Sequence, residues 1–221
     1  MSGPFTLKDN LNRPAEEAYN VLRTNLKFCS VGSQFKTIAV TSCIPGEGKT
    51  TTALNLSISL AKSGMKVLFL DADLRKPQKL GFENNKGLSN LISGDAIFKD
   101  IINFTNVDKL HIISCGQIPP NPAEMINSAR FRSTIADLAQ MYDMVIIDTP
   151  PISSVIDGAI IASLTDATIL VIKYKSVDYK LVQRAREQLA KANAKIIGVV
   201  LNKLQKREYK NYYSYYNYYN R

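Results

Sequence analysis

Thr41-Ser42-Cys43-Ile44-Pro45-Gly46-Glu47-Gly48-Lys49-Thr50-Thr51 is a glycine-rich turn caught between two apolar stretches of different period. Upstream, Thr37-Ile38-Ala39-Val40 is short, β-branched and apolar, as a buried parallel strand must be; downstream, residues 52–61 have helical spacing. The turn therefore opens a helix N-terminus. Gly46 and Gly48 allow positive φ, which brings backbone N–H groups close to an anion, and the unpaired amides and dipole of the new helix point at the same place. Lys49 adds a charge for the β- and γ-phosphates of a nucleotide, and the Thr50 hydroxyl is placed to hold Mg²⁺. Pro45, Gly46, Glu47, Gly48, Lys49, Thr50 and Thr51 are the predicted ATP cradle. The usual G-x-x-x-x-G-K-[ST] pattern wants glycine at position 43, where this chain has Cys43. A chance Gly-x-Gly-Lys-Thr in a surface loop would lack the strand before it and the helix after it.

Two further strands end in acids. Lys66-Val67-Leu68-Phe69-Leu70 runs into Asp71-Ala72-Asp73-Leu74-Arg75, placing two carboxylates and an arginine on the ligand side of an open α/β sheet. Met144-Val145-Ile146-Ile147 ends in Asp148-Thr149-Pro150-Pro151, an apolar anchor with the acidic tip that Mg²⁺ at a phosphate group needs. A lone acid after a strand is commonly only a cap; three of them beside a phosphate loop argue for chemistry.

The alternation continues outward. Residues 16–28 read as a helix ahead of the first strand, free to contact something other than the core. Gly64 stops the phosphate helix, and residues 78–109 read as a small helix and loops punctuated by Gly81, Gly87 and Gly94. Leu110-His111-Ile112-Ile113-Ser114 is a strand, followed by Gly116 and Pro119-Pro120-Asn121-Pro122. Residues 129–141, 159–164 and 178–192 are helical in period, and 168–172 and 196–201 are strands. This predicts an α/β, P-loop NTPase-like fold with a mostly parallel central sheet and helices on both faces. The domain plan is an N-terminal arm (1–15), an ATP-binding domain (16–205) and a flexible tail (206–221).

At 221 residues with 45% hydrophobic content, the chain suits one large domain. No apolar run reaches a membrane span and no secretory pattern opens the chain, so a cytoplasmic location is expected. Cys29, Cys43 and Cys115 are odd in number and widely spaced, which argues against disulfides and zinc. His111, the one histidine, lies in a strand-like run and is read as structural. A net charge of +9 leaves an anionic membrane, nucleic acid or an acidic partner open. The last thirteen residues hold Tyr209, Tyr212, Tyr213, Tyr215, Tyr216, Tyr218 and Tyr219 among Asn, Lys and Ser, with no aliphatic residue to bury a face. A mobile tail is expected there. Aromatics among basic residues can also stack single-stranded nucleic acid.

Pro45-Gly46-Glu47-Gly48-Lys49-Thr50, Leu70-Asp71-Ala72-Asp73-Leu74-Arg75, Ile147-Asp148-Thr149-Pro150-Pro151 and the tyrosine cluster together resemble the bacterial tyrosine kinases (BY-kinases) of capsule and exopolysaccharide synthesis. The form resembled is the one in which the kinase is a separate cytoplasmic chain. Gly87-Leu88-Ser89 and Pro119-Pro120-Asn121-Pro122-Ala123-Glu124 extend the likeness, and no eukaryotic-type kinase signature is present. The resemblance implies an ATP- and Mg²⁺-dependent protein tyrosine kinase that phosphorylates the seven tail tyrosines of a neighbouring copy. It assigns Lys49 and Thr50 to the Walker A roles, Asp71 to accepting the tyrosine proton, and Asp73 and Asp148 to organising Mg²⁺. Asn202 falls where related ATPases contact adenine. The family's E-x-x-R-x-x-R oligomer motif reads Glu17-x-x-Asn20-x-x-Arg23 here, so Glu17 and Arg23 are the predicted interface of a homo-oligomer or ring that Asn20 weakens. Further implied partners are a transmembrane adaptor that recruits the chain to the inner face of the membrane, a protein tyrosine phosphatase and exogenous protein substrates, with no nucleic acid.

A positioning ATPase of the ParA and MinD kind shares the fold and would suit the positive charge. It would not need seven tail tyrosines, and its early loop lysine, expected near Cys43, is missing. A pure nucleotide-dependent interaction module would leave Asp71 without a role. On sequence alone, Lys49→Met should leave the fold intact, since only a phosphate-facing ammonium is lost.

Overall fold

The computed structural model describes residues 6–7, 11–29, 35–76 and 86–205. The tail tyrosines, Gly81 and most of the N-terminal arm lie outside them.

Seven strands form one sheet in the order β3-β4-β2-β5-β1-β6-β7. In chain order the elements are α1 (Arg13–Cys29), β1 (Thr37–Ser42), α2 (Lys49–Lys62), β2 (Val67–Asp71), α3 (Leu88–Ser93), α4 (Phe98–Ile101), β3 (Ile102–Phe104), β4 (Leu110–Ile113), α5 (Pro122–Asn127), α6 (Ala129–Met141), β5 (Met144–Asp148), α7 (Asp157–Ser163), β6 (Ala167–Lys173), α8 (Tyr179–Lys191) and β7 (Ile196–Asn202). All pairings are parallel except β3 with β4.

β1, β2 and β5 are buried at every position because helices cover both faces, and successive side chains point opposite ways. Ile38, Val40, Phe69 and Ile146 pack on one side with Leu56 of α2 and Leu26 of α1. Leu68, Leu70, Val145 and Ile147 pack on the other with Phe131, Ile135 and Leu138 of α6. Ala39 and Leu170 meet Ala185 and Leu189 of α8 in a third cluster. Each fully buried Leu, Ile or Phe among these stabilises the fold by roughly 1.5–3 kcal/mol relative to exposure.

Two sequence expectations need correction, and a stretch to which the sequence assigned no element is helical. The first helix is not free of the core: Leu26 is buried in it, and Tyr19 and Leu22 pack against it. The stretch between Gly94 and Leu110 contains an edge strand, β3, whose three residues are too few to show a period; it pairs antiparallel to β4. The proline run after β4 leads into a helix, because Pro122 occupies the first turn of α5, where its missing N–H is not needed. The arm is also anchored at one described point: Leu7 is buried, and its N–H donates to Asn106 Oδ1 at 2.8 Å.

His111 is structural in its contacts. Its Nδ1 lies 2.8 Å from the Tyr142 hydroxyl, its ring meets those of Phe104 and Tyr142 edge-on, and burial lowers its pKa. All three cysteines are free thiols.

Candidate active site

Parallel pairing brings the acid-bearing strand ends together. β2, β5 and β1 are neighbours, with Asp71 in register with Asp148 and Val40 in register with Asp148. Backbone bonds carry the order past the strand ends: Ala72 N–H donates to Asp148 O and Thr149 N–H to Val40 O. Three segments far apart in sequence thus meet at one sheet edge.

The phosphate loop has the geometry its glycines permit. Gly46 has φ +82° and Gly48 φ +91°, and a Cβ on Gly48 would sit 2.2 Å from Asn202 Nδ2. Gly48 precedes α2 without offering a capping side chain, so the first-turn amides have no cap of that kind. That is the donor arrangement an anionic phosphate suits.

Glu47 is only 1% exposed, and its carboxylate is engaged with backbone. It accepts from Ile44 N–H (2.9 Å) and from Lys173 N–H at the end of β6 (3.0 Å), bracing the loop against the sheet. Asn202 Nδ2 donates to Glu47 O at 2.9 Å, and Lys203 Nζ to Gly46 O at 3.0 Å. Asn202 Oδ1 accepts from Lys203 N–H, so this amide side chain is engaged with backbone at both ends. Cys43 is fully buried in the third core cluster, is not among the positive-φ residues, and has its thiol pushed up to about 11, mainly by burial. Cysteine in place of the usual glycine is therefore accommodated without strain.

Lys49 lies between two acids. Its ammonium is 3.3 Å from Asp148 Oδ1 and 3.5 Å from Asp73 Oδ2, and all three side chains are at most 10% exposed. The Thr50 hydroxyl donates to Asp148 Oδ2 at 2.5 Å. Burial pushes Asp148 up to about 6, against the opposing pull of Lys49 and Thr50. This corrects the view that Lys49 only faces phosphate: it is the counterion of a buried acid cluster. Asp71 is fully buried, and its Oδ1 accepts from Asp73 N–H at 3.1 Å.

Among the described residues no group of three His, Cys, Asp or Glu side chains could hold a metal by itself. Thr50, Asp73 and Asp148 supply one hydroxyl and two carboxylates around Lys49. Mg²⁺ commonly takes one or two carboxylates and completes its shell with water and phosphate, so this donor set fits it.

Sequence reading missed Asp157, which is fully buried and grips Arg75 through two hydrogen bonds. An acid at a helix start reads as a cap, and no spacing links it to Arg75. It also missed Asn90, whose Oδ1 accepts from Gly87 N–H at 3.0 Å and lies 2.6 Å from where a Cβ on Gly116 would be. Leu88 N–H and Ser89 N–H donate to Ser114 O and Cys115 O, so the Gly-Leu-Ser-Asn stretch pins the loop after β4. Of the predicted interface residues, Glu17 pairs with Arg13 at 3.4 Å and Arg23 Nη1 donates to Ser59 O at 2.9 Å. Asn20 Oδ1 also accepts from the Ser59 hydroxyl.

The family profile described as an AAA domain matches residues 35–196. The tyrosine-protein kinase CpsD of Streptococcus agalactiae is 41% identical over 196 residues, covering 87% of this chain and 85% of its own. The tyrosine-protein kinase YwqD of Bacillus subtilis is 39% identical, covering 84% and 80%. The chain belongs to the bacterial tyrosine-kinase family. Solved structures agree: the kinase domain of the Escherichia coli tyrosine kinase ETK superposes with a TM-score of 0.84 at 33% identity, covering 87% of this chain and 77% of that one. The chimerical protein CapA2B2 gives 0.85 at 34%, covering 90% and 88%. The cell division ATPase MinD of Pyrococcus furiosus gives 0.64 at 26%, covering 75% and 71%, a more distant likeness. Membership in this family carries the P-loop fold and nucleotide binding.

Proposed function

We infer that the chain is an ATP-dependent protein tyrosine kinase that modifies the tail tyrosines of a neighbouring copy and serves capsule or exopolysaccharide synthesis. The observation that carries this reading is the convergence of Lys49, Thr50, Asp73 and Asp148 at the phosphate loop with Asp71 beside them. Mg·ATP supplies the γ-phosphoryl group. The loop amides and Lys49 would bind and neutralise the phosphates, and Thr50, Asp73 and Asp148 would hold the metal. Asp71, buried and in register with Asp148, accepts the proton of the acceptor hydroxyl. A tyrosine pKa of about 10 means that a carboxylate helps mainly as the proton departs.

Transfer from phosphate to phenol needs positioning and charge compensation more than covalent help. A positioning ATPase would use the same loop, but relatives 39–41% identical are named tyrosine-protein kinases, while the MinD likeness is 26%.

No helix among the described residues is long and apolar enough to cross a membrane. In this reading a transmembrane adaptor recruits and activates the chain at the inner face of the membrane, a phosphatase reverses the modification, and Glu17 and Arg23 contribute to an oligomer interface. Tyr209, Tyr212, Tyr213, Tyr215, Tyr216, Tyr218 and Tyr219 are the proposed phosphorylation sites.

Mass spectrometry of the protein as expressed in bacteria tests the reading. Phosphotyrosine in the tail is expected, lost in Asp71→Asn while ATP binding persists. A tail without phosphotyrosine, with or without the adaptor's cytoplasmic tail, would overturn it.

A further inference from the structure

Arg75 stands two residues beyond Asp73 in the turn after β2. Its guanidinium is locked: Nε donates to Asp157 Oδ2 at 2.6 Å and Nη2 to Asp157 Oδ1 at 3.2 Å. Asp157 is fully buried, whereas the arginine side chain keeps 41% of its surface exposed. A two-point grip of this kind lies in the guanidinium plane and leaves the faces of that plane open.

Both ends of the bridge are rooted in the catalytic strands. Asp73 closes the turn by accepting Lys76 N–H at 3.0 Å with one oxygen, while its other oxygen is 3.5 Å from Lys49 Nζ. Asp157 opens α7 just beyond Asp148, and α7 sits so close to that segment that a Cβ on Gly158 would lie 2.5 Å from Pro150 O. Ile156, the residue before Asp157, is 69% exposed, and Ile118 on the pinned loop before α5 is 61% exposed. α5 packs against α7. The turn after β2, whose Asp73 lies beside Lys49, thus offers a fixed planar cation with part of its surface open to solvent. A flat aromatic ring with an electron-rich face is the side chain that fits such a surface.

We propose that Arg75 is an acceptor-positioning residue: its guanidinium, held by Asp157, is the platform on which the incoming tyrosine ring lies with its hydroxyl turned toward Asp71. This rests on the kinase reading above and adds to it the residue that selects an aromatic acceptor. A bridge that merely ties the β2 turn to α7 would not need an arginine that keeps 41% of its surface exposed.

The test uses the full chain with a synthetic peptide of residues 206–221 as acceptor. Arg75→Lys keeps a cation for Asp157 but loses the plane. Its KM for the peptide is expected to rise about threefold, because planar stacking is lost while part of the cation–π attraction is kept, while KM for ATP and acceptor-free ATP hydrolysis stay within about twofold. Asp157→Asn, which retains Arg75 but loosens it, should move the peptide KM in the same direction by a smaller factor and serves if Arg75→Lys folds poorly. Ring-fluorinated tyrosine, whose face is electron-poor, should raise the peptide KM of the wild type by a larger factor than that of Arg75→Lys. An unchanged peptide KM in both variants overturns the proposal. So does a joint shift of peptide KM, ATP KM and melting temperature, the signature of a structural tie. A wild-type chain that phosphorylates no tyrosine peptide sinks the kinase reading itself, and shows this before any variant is compared.

Discussion

Replacing Asp148 by Asn should stabilise the nucleotide-free chain while disabling it. Asp148 is fully buried, and burial outweighs the help of Lys49 and Thr50, so its carboxyl is raised from the ordinary 3.8 to about 6. For an acid this sign means that the folded state favours the neutral form. The contribution to stability is fully present below pH 3.8 and is lost as pH rises through about 6. Above that, the charged form weakens the fold by roughly 3 kcal/mol, at about 1.4 kcal/mol for each tenfold change in acidity. Asparagine resembles the neutral acid in shape and carries no charge. In a chain of this size about 1 kcal/mol moves the melting temperature by roughly 2–4 °C, so Asp148→Asn should melt about 6–12 °C higher at pH 7.5. The gain should shrink between pH 6 and 4 and vanish near pH 3.8, where the wild-type acid is itself protonated. Differential scanning calorimetry across pH 3.5–8 without nucleotide measures this, and an autophosphorylation assay checks the loss of activity. A lower melting temperature for Asp148→Asn at neutral pH, or a difference that does not vary with pH, would refute the argument that desolvation dominates at this site.

Lys49→Met should abolish transfer and, contrary to the sequence-only expectation, destabilise the nucleotide-free fold by on the order of 3 kcal/mol at neutral pH, because Asp73 and Asp148 lose their counterion; chemical denaturation at pH 7 and pH 4 should show the deficit shrinking in acid. Gly48→Ala places a methyl 2.2 Å from Asn202 Nδ2 at φ +91°, and titration calorimetry should find nucleotide binding lost. Glu47→Gln turns one of two buried acceptors into a donor facing an N–H, at a cost of about 1–3 kcal/mol, with KM for ATP raised more than kcat is lowered. Full phosphorylation of the seven tail tyrosines adds roughly −10 to −14 charges to a chain of net +9; sedimentation at moderate salt should find the phosphorylated form less associated than Lys49→Met, and equal mass distributions would dismiss the electrostatic switch.

Local chemistry written in consecutive residues was legible without the structure. Glycines at 46 and 48 admit the positive φ that a phosphate turn requires, and uninterrupted apolar runs identify strands covered on both faces. An acid at the end of such a run must lie at the ligand edge of a parallel sheet. These rules need only neighbours in sequence, so the P-loop, Asp71, Asp73, Asp148 and the parallel architecture could be read directly, and the motif resemblance supplied the family. What the tertiary structure decided depends on partners far apart in the chain. Strand order alone puts Asp71 in register with Asp148. Lys49 became a counterion only when burial removed the water that would otherwise screen both acids, and the same desolvation set the raised pKa of Asp148. Glu47 was legible as part of the phosphate turn and Asn202 only through the family resemblance; that Glu47 accepts from loop and β6 backbone, and that Asn202 bonds Glu47 O and Lys203 N–H, only the fold decides. Asp157 lies 82 residues from Arg75, and no period or spacing can announce a hydrogen bond that exists only because the fold brings the start of α7 to the turn after β2.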